Sequence, residues 1–202
     1  MKLGDQSKII GFCLLLFLLF YFISKRDTLK VNEINQDKIE DFDIILSKGQ
    51  SVQSRLISFL KLSTNDYSHI GILVKVNGEV FVLHSTPDGT KTNGIRYDDL
   101  QTFIALSHAS DCIILRHKGI SYNNRIELTI AVNAYKSIQK PFDFEFDNFN
   151  NEKIYCSELV WLIFKKSGVL KQNIFDLTRP IYPKYFQDDT GFISINCNKT
   201  SP

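Results

Sequence analysis

Two apolar runs separated only by Asn77-Gly78 predict a tight β-hairpin in the middle of the chain. The runs read YSHIGILVKV at 67–76 and EVFVLH at 79–84, and both are rich in β-branched residues. Asn-Gly readily adopts the positive φ angles of a two-residue hairpin turn, whose twist matches that of antiparallel strands. We therefore expect these two runs to be neighbouring strands of one sheet.

The turn also sets how the two strands pair. Val76 faces Glu79 across the turn, and counting back from this pair places Gly71 opposite His84. Facing residues point to the same side of a sheet, and His69 shares that side because side chains alternate along a strand. His69 and His84 are then diagonal neighbours about 7–8 Å apart at the backbone, a gap that two imidazoles bridge. Gly71 lies between them and leaves room for close approach.

Cys156 lies in the first turn of a predicted helix over residues 155–167. Free N–H groups and the dipole at a helix start stabilise a thiolate, so we expect the pKa of Cys156 to be lowered. A neighbouring imidazole supplies a general base, and a third polar group orients that base. Cys156, His69 and His84 meet these requirements, with the backbone N–H of Cys156 as oxyanion donor. The alternative is that all three residues serve only packing, as most buried cysteines do.

The cysteine content argues against other cysteine-based sites. The chain has four cysteines and no CxxC pair, which excludes zinc ribbons and thioredoxin-like redox sites. Zinc held by one cysteine and two histidines is the chemical alternative to a triad. No short-spaced ligand pair supports it, so we expect neither a metal nor another cofactor. The other cysteines are Cys13, Cys112 and Cys197.

The remaining patterns predict one α+β domain over residues 42–202. The segment 27–41 mixes polar residues with isolated apolar ones and is predicted to be a linker. The run PFDFEFD at 141–147 is interpreted as a half-buried extended segment, which we favour, or as a wall of a substrate groove. Beside the hairpin and the cysteine helix, the apolar periodicity predicts strands at 44–46 and 112–117 and helices at 51–62 and 125–139.

An apolar N-terminal segment predicts attachment to a membrane. Residues 9–23 read IIGFCLLLFLLFYFI without a charge, and no small-residue cleavage pattern follows them. We therefore expect a single-pass membrane anchor within residues 1–26, with a cleaved signal peptide or a buried core helix as alternatives. Because positive residues flank both ends, charge does not set the orientation. Our expectation is an extracytoplasmic catalytic domain.

The length, apolar content and net charge of the chain limit the kinds of partner that it can bind. The 202 residues suffice for one domain with a sizeable core, and 44% apolar residues exclude a disordered chain. Lys plus Arg number 24 against 22 Asp plus Glu, a net charge of +2. A charge this close to balance lacks the basic surplus that nucleic-acid binding requires, so we expect no nucleic-acid partner.

Two motifs carry a resemblance to a known family. NDYSHIGILV at 65–74 and IYCSELVWLIF at 154–164 resemble the signatures of YiiX/YebB-like proteins, which are permuted papain-fold cysteine hydrolases of the NlpC superfamily. FDIILSKGQ at 42–50 and KPFDFEFD at 140–147 are similar to further family segments, so the resemblance covers about residues 42–186. In that family the histidine strand precedes the cysteine helix, which is also the order here.

The resemblance implies a role for each site residue. Cys156 would be the nucleophile and His69 the base, while His84 takes the place of a third residue that is commonly glutamate. Tyr67 would line the substrate site or contribute to the oxyanion site. The fold implied is a permuted papain-like α+β fold, in which an antiparallel sheet packs against the helix that carries the nucleophile.

Three functions follow from these expectations. The first is a membrane-anchored thiol hydrolase that cleaves an amide bond in a peptide or a peptidoglycan-like substrate. The second uses the same triad on a lipid ester or N-acyl substrate, as a hydrolase or acyltransferase, because the superfamily also resembles lecithin retinol acyltransferases. The third is a membrane-tethered binding domain without catalysis.

Overall fold

The computed structural model describes residues 34–49, 67–87, 93–107, 109–150, 152–170 and 175–197. The predicted membrane segment 9–23 and the predicted helix 51–62 lie outside these ranges. Among the helices inside them, none combines the length and the apolar character needed to cross a bilayer.

Within the described residues, six antiparallel strands form one sheet; when the strands are numbered along the chain with the bounds given next, their order across the sheet is β4-β3-β2-β1-β5-β6. The strands are β1 Ile44–Gly49, β2 His69–Val76, β3 Glu79–Thr86, β4 Gly94–Asp99, β5 Ala109–His117 and β6 Phe192–Ile195. The helices are a short 3₁₀ turn Gln36–Lys38, α1 Leu100–Ser107, α2 Tyr122–Lys136, α3 Cys156–Lys166 and α4 Lys184–Asp188. The predicted α+β class with an antiparallel sheet is confirmed.

The predicted hairpin is present with the predicted register. Asn77 and Gly78 have φ angles of 52° and 87°, as a turn with two left-handed residues requires. Val76 pairs with Glu79 and Gly71 pairs with His84. The positions of His69, Gly71 and His84 therefore share one face of the sheet, which is where sequence reasoning expected them.

The two faces of the sheet carry separate hydrophobic clusters. On one face, alternate residues of β1 and β2, such as Ile44 and Ile72, pack against α2 and α3. On the other face, the intervening residues, such as Ile45 and Leu73, pack around Phe103 of α1. The sheet thus lies between two layers of helix, and a side chain's layer follows from its position along the strand.

Helices α2 and α3 begin and end at other residues than predicted, because capping groups near their ends fix where they start and stop. Helix α2 starts and ends three residues earlier than expected, because the Ser121 hydroxyl accepts the N–H of Asn124 and so fixes its start. Helix α3 is one residue shorter at each end, and Gly168 follows it with a φ of 72°. Strands β4 and β6 and helices α1 and α4 were not predicted.

The residues just before β1 pack onto the sheet. Ile34 and Ile39 are almost fully buried, and the N–H of Asn35 donates to the carbonyl of Cys197 at 2.5 Å. The guanidinium of Arg116 on β5 bonds the buried carboxylate of Asp43 at 2.8 Å. In the structure, the folded domain therefore includes residues 34–41, which the sequence pattern assigned to the linker.

Candidate active site

Cys156 is the first residue of α3 and is 3% exposed. The chain arrives through Tyr155 in an extended conformation, and the N–H groups of Cys156 and Ser157 in the first helical turn donate toward the Cys156 sulfur. The backbone N–H of Ile70, the residue after His69 on β2, donates toward the sulfur of Cys156. The helix start therefore lies against the start of the histidine strand.

The two strand histidines are in direct contact. Nε2 of His69 lies 2.9 Å from Nδ1 of His84, and both rings are buried. Gly71 makes this contact sterically possible, because a Cβ at this position would lie 2.4 Å from Cγ1 of Val82 and 3.2 Å from Cβ of His84. A glycine between the two histidines is thus a packing requirement of the pair.

Phe103 of α1 covers both imidazoles. Its ring stacks on His69 with centroids 5.1 Å apart and meets His84 edge-on at 5.0 Å. This cover keeps water away from the hydrogen bond between the two histidines. Burial lowers the pKa of both imidazoles, that of His69 well below its ordinary value, because the charged form loses its hydration.

A carboxylate that sequence reasoning missed completes the chain of contacts. Nε2 of His84 lies 3.1 Å from Oδ2 of Asp98 on β4. Arg96 clamps the same carboxylate, with Nε 2.6 Å from Oδ2 and Nη2 3.1 Å from Oδ1. Burial acts to raise the pKa of Asp98, but the bonds from His84 and Arg96 outweigh it and lower the pKa to about 2.

The signal for Asp98 was present in the sequence. Extending the meander by one more strand pairs His84 with Arg96, which brings Asp98 diagonally next to His84 on the same face. The alternation of side chains in GIRYDD is a weak strand signal, because the segment contains few apolar residues and the strand is only half-buried.

The contacts determine where the ring hydrogens lie. An ionised carboxylate only accepts, so the hydrogen of neutral His84 is on Nε2 and points at Asp98. Nδ1 of His84 is then an acceptor, and Nε2 of His69 must donate to it. Nδ1 of His69 consequently carries the free lone pair, and the arrangement leaves one basic nitrogen at this end of the chain of contacts.

The pKa expected for Cys156 from sequence is wrong in direction. Burial raises the pKa of the Cys156 thiol to about 11, although N–H groups of Ile70, Ser157 and Cys156 itself act in the opposite sense. The helix start therefore does not compensate for lost hydration. With a high thiol pKa and a low imidazole pKa, Cys156 and His69 are each uncharged near neutral pH.

Tyr67 packs against the same hydrophobic cluster as Cys156. Its hydroxyl donates to Oδ2 of Asp111 on β5 at 3.4 Å. Burial, followed by the Asp111 charge, raises the pKa of Tyr67 to about 12. Its predicted role at the oxyanion or substrate site stays a prediction.

The remaining described cysteines lie in other surroundings. Burial raises the pKa of Cys112 on β5 to about 12 and also raises that of Cys197 after β6. Among the described residues, no cluster of three or more His, Cys, Asp or Glu side chains is arranged to hold a metal ion.

A helix that begins with a buried cysteine, packed on an antiparallel sheet that carries a buried histidine pair, defines the class of papain-like cysteine hydrolases. Residues 38–199 match the sequence profile of the family described as permuted papain-like amidase enzyme, YaeF/YiiX, C92 family. The chain belongs to this family, and it is a cysteine hydrolase of the amidase and peptidase kind. The resemblance seen in the sequence motifs is confirmed.

The fold is similar to that of a solved family member. The crystal structure of metalloprotein yiiX from Escherichia coli O157:H7 superposes with a TM-score of 0.63, at 22% sequence identity. The match covers 80% of this chain and 98% of that chain, which shows a shared fold. No curated protein matches the chain.

Proposed function

We propose that this chain hydrolyses an amide bond with Cys156 as nucleophile, His69 as base and His84 as the residue that orients His69. The observation that carries the proposal is the 2.9 Å contact between His69 and His84, next to a helix start whose cysteine sulfur receives the N–H of Ile70. The uncharged run 9–23 supports attachment of the enzyme to a membrane.

Acylation begins with attack of the thiol and transfer of its proton to His69. Because thiol and imidazole are both neutral at rest, Nδ1 of His69 takes the thiol proton as Sγ of Cys156 attacks the carbonyl carbon. The resulting imidazolium is stabilised through His84 by the carboxylate of Asp98. His69 then gives the proton to the amine nitrogen, the carbon–nitrogen bond breaks, and a thioester remains on Cys156.

The helix start serves the oxyanion. The backbone N–H groups of Cys156 and Ser157 belong to the first turn of α3, where no helical carbonyl is available to accept them. In the resting site they lie beside the sulfur, and in this mechanism they donate to the negative oxygen that forms on the attacked carbonyl. In the second half-reaction water attacks the thioester and His69 accepts a proton from the water. The carbon–sulfur bond then breaks, His69 returns the proton to the sulfur, and a carboxylic acid is released.

Labelling with an acylating electrophile tests the nucleophile. Near pH 7, an activated ester should leave a thioester on Cys156, because His69 removes the thiol proton during attack. Mass spectrometry of the digested protein locates the adduct. Cys112 and Cys197 are the internal controls, and preferential acylation of either would contradict the assignment.

Iodoacetamide should report the resting thiol. With a Cys156 pKa of about 11, thiolate is scarce at neutral pH, so alkylation should accelerate steadily as pH rises toward that value. Rates of loss of the unmodified Cys156 peptide measure this. A rate that is already maximal at pH 7 would instead indicate a preformed thiolate–imidazolium pair.

A metal site is the second candidate, because the yiiX protein that shares this fold is described as a metalloprotein. The donor atoms here do not fit one as they stand. Nε2 of His69 and Nδ1 of His84 bond each other, and Nε2 of His84 bonds Asp98. A metal would have to break the histidine pair before it reached two imidazoles.

Elemental analysis decides between the two candidates. We expect the purified full-length protein to carry no stoichiometric metal, since the triad accounts for Cys156, His69 and His84. The Cys156→Ala protein is the control. About one zinc per chain, lost in that variant, would replace the triad by a metal site.

A further inference from the structure

We infer that Cys112 and Cys197 form a disulfide bond that links the edge strand β6 to β5. Both residues carry free thiols in the structure, and the proposed hydrolysis uses neither of them. Cys156, the proposed nucleophile, lies in the hydrophobic cluster on the other face of the sheet, so the bond forms without it. A disulfide bond needs two side chains that already face each other, which makes the pairing of β5 and β6 the deciding observation.

The register of β5 and β6 brings the two cysteines opposite each other. The strands are antiparallel, and Ile114 pairs with Ile195, the last residue of β6. Continuing this register by two residues brings Cys112 opposite Cys197. Directly opposite residues of antiparallel strands have Cα atoms about 4.5–5.5 Å apart, and disulfide bonds join residues whose Cα atoms are about 4.4–6.8 Å apart. The backbone spacing therefore fits a disulfide bond.

Both side chains face the same hydrophobic layer. Ile114 and Cys197 are buried in the cluster around Phe103, while Cys112 and Ile195 pack against that cluster. Side chains alternate between the two faces along a strand, so a slip of one residue would put one of the cysteines on the face of α3. The shared layer therefore agrees with the continued register.

The two thiols also share an open groove. Cys112 and Cys197 both line a groove with an empty volume of about 540 Å³, which is open to solvent. Burial, then the charge of Asp111 and then that of a Cys197 thiolate raise the pKa of Cys112. The last of these effects requires the two sulfur atoms to be near each other. A small oxidant can thus reach a pair of thiols that are already close.

The bond secures the entry of the chain into the domain as well as β6. Strand β6 has four residues and lies at the edge of the sheet. Just after it, the carbonyl of Cys197 accepts the N–H of Asn35 at 2.5 Å, and the carbonyl of Asn196 accepts Nζ of Lys38 at 3.1 Å. The residues that follow β6 therefore hold the segment 34–38. A disulfide to β5 joins this segment to an interior strand of the sheet.

The oxidant is a small-molecule disulfide such as oxidised glutathione. The thiolate of one cysteine attacks a sulfur of the oxidant, whose sulfur–sulfur bond breaks, so that a mixed disulfide forms and one reduced glutathione leaves. The thiolate of the other cysteine attacks the protein sulfur of this mixed disulfide and expels the second glutathione. The two cysteine thiols have then lost two electrons and two protons, which the two glutathione thiols carry.

The bond also bears on the compartment in which the domain works. Disulfide bonds persist in oxidising compartments and are rare where glutathione and thioredoxin keep thiols reduced. A disulfide between Cys112 and Cys197 thus favours the extracytoplasmic side that we expect for the domain.

Peptide mapping tests the bond. Reduced full-length protein is freed of reductant, incubated in its folded state with oxidised glutathione, blocked with N-ethylmaleimide in denaturant and digested without reductant. Mass spectrometry should find one peptide pair joined through Cys112 and Cys197, with release of about two reduced glutathione molecules per chain. Separate glutathione adducts on the two cysteines, a link that includes Cys156, or a link between two chains on a non-reducing gel would each overturn the inference.

Thermal unfolding measures whether the bond secures the fold. Because a disulfide bond that closes a long loop restricts the unfolded chain, oxidised wild-type protein should have a Tm about 10 °C above that of the reduced protein. Cys112→Ala cannot form the bond and should have the same Tm with and without reductant. Cys156→Ala is the matched control, since it keeps both cysteines and should show the wild-type difference. An equal Tm for oxidised and reduced wild-type protein would contradict a disulfide that holds β6 to β5.

Discussion

Replacing Cys156 by alanine should abolish amide hydrolysis, and His69→Ala should do the same. In a catalytic triad on another fold, loss of the nucleophile or of the base alone costs about a million-fold in kcat, because neither half-reaction proceeds without both groups. Release of a fluorescent amine from an amide of aminomethylcoumarin by the full-length protein measures the effect. Cys112→Ala is the matched control, since its thiol lies on β5 against the hydrophobic cluster on the opposite face of the sheet from α3, and it should retain activity.

A loss of activity caused by unfolding must be distinguished from one caused by removal of the catalytic group. Both active-site variants remove buried side chains, so thermal unfolding of each variant is recorded beside the kinetics. A folded Cys156→Ala protein with activity within about tenfold of wild type would contradict the thiol mechanism. A folded and active His69→Ala protein would place the base elsewhere.

Asp98→Asn should reduce turnover by about 10- to 1000-fold, an effect similar to that of His84→Ala. The ionised Asp98 keeps the His84 hydrogen on Nε2 and thereby keeps Nδ1 of His69 basic. An asparagine amide can instead donate to Nε2 of His84, so this preference is lost. His84→Glu provides a charge next to His69 and should preserve or raise activity, as the glutamate common in this family implies. In that background, Asp98→Asn should have little further effect, so the two substitutions are strongly non-additive.

The pH profile distinguishes an electrostatic role of Asp98 from a merely structural one. Activity requires neutral His69, whose pKa lies well below its ordinary value, so kcat/KM should stay level down to weakly acidic pH and fall as pH drops through that lower pKa. The Asp98 carboxylate favours the protonated form of the hydrogen-bonded histidines His69 and His84. Asp98→Asn should therefore move the acid limb to still lower pH. A reduced rate with an unmoved acid limb would show that Asp98 serves packing alone.

The parts of the site that sequence reasoning captured are those that local signals encode. The turn chemistry of Asn77-Gly78 determines the hairpin register, and that register brings His69 and His84 together over Gly71. Helix periodicity and the terminal Gly168 locate α3 and place Cys156 at its start. None of these inferences depends on distant parts of the chain.

The parts that were missed depend on distant packing. Asp98 lies on a half-exposed strand with little apolar signal, so its role becomes visible only when β4 is paired with β3. The thiol pKa depends on how deeply α3 buries Cys156, and no local pattern encodes that burial. Ile34 is likewise buried by contacts with the far end of the chain, around Cys197.

The candidate site is divided between two continuous segments of the chain, which explains how a circular permutation of the papain-like fold can leave the site intact. His69, His84 and Asp98 lie on the consecutive strands β2, β3 and β4, and the cysteine with its first-turn amides lies on α3. Each piece acquires its internal geometry from its own turn or helix start. The rest of the fold has only to hold the two segments against each other, so the order in which they follow along the chain does not alter the site. Circular permutation of this fold thus changes the order of the segments along the polypeptide, while the residues that transfer the proton keep their arrangement.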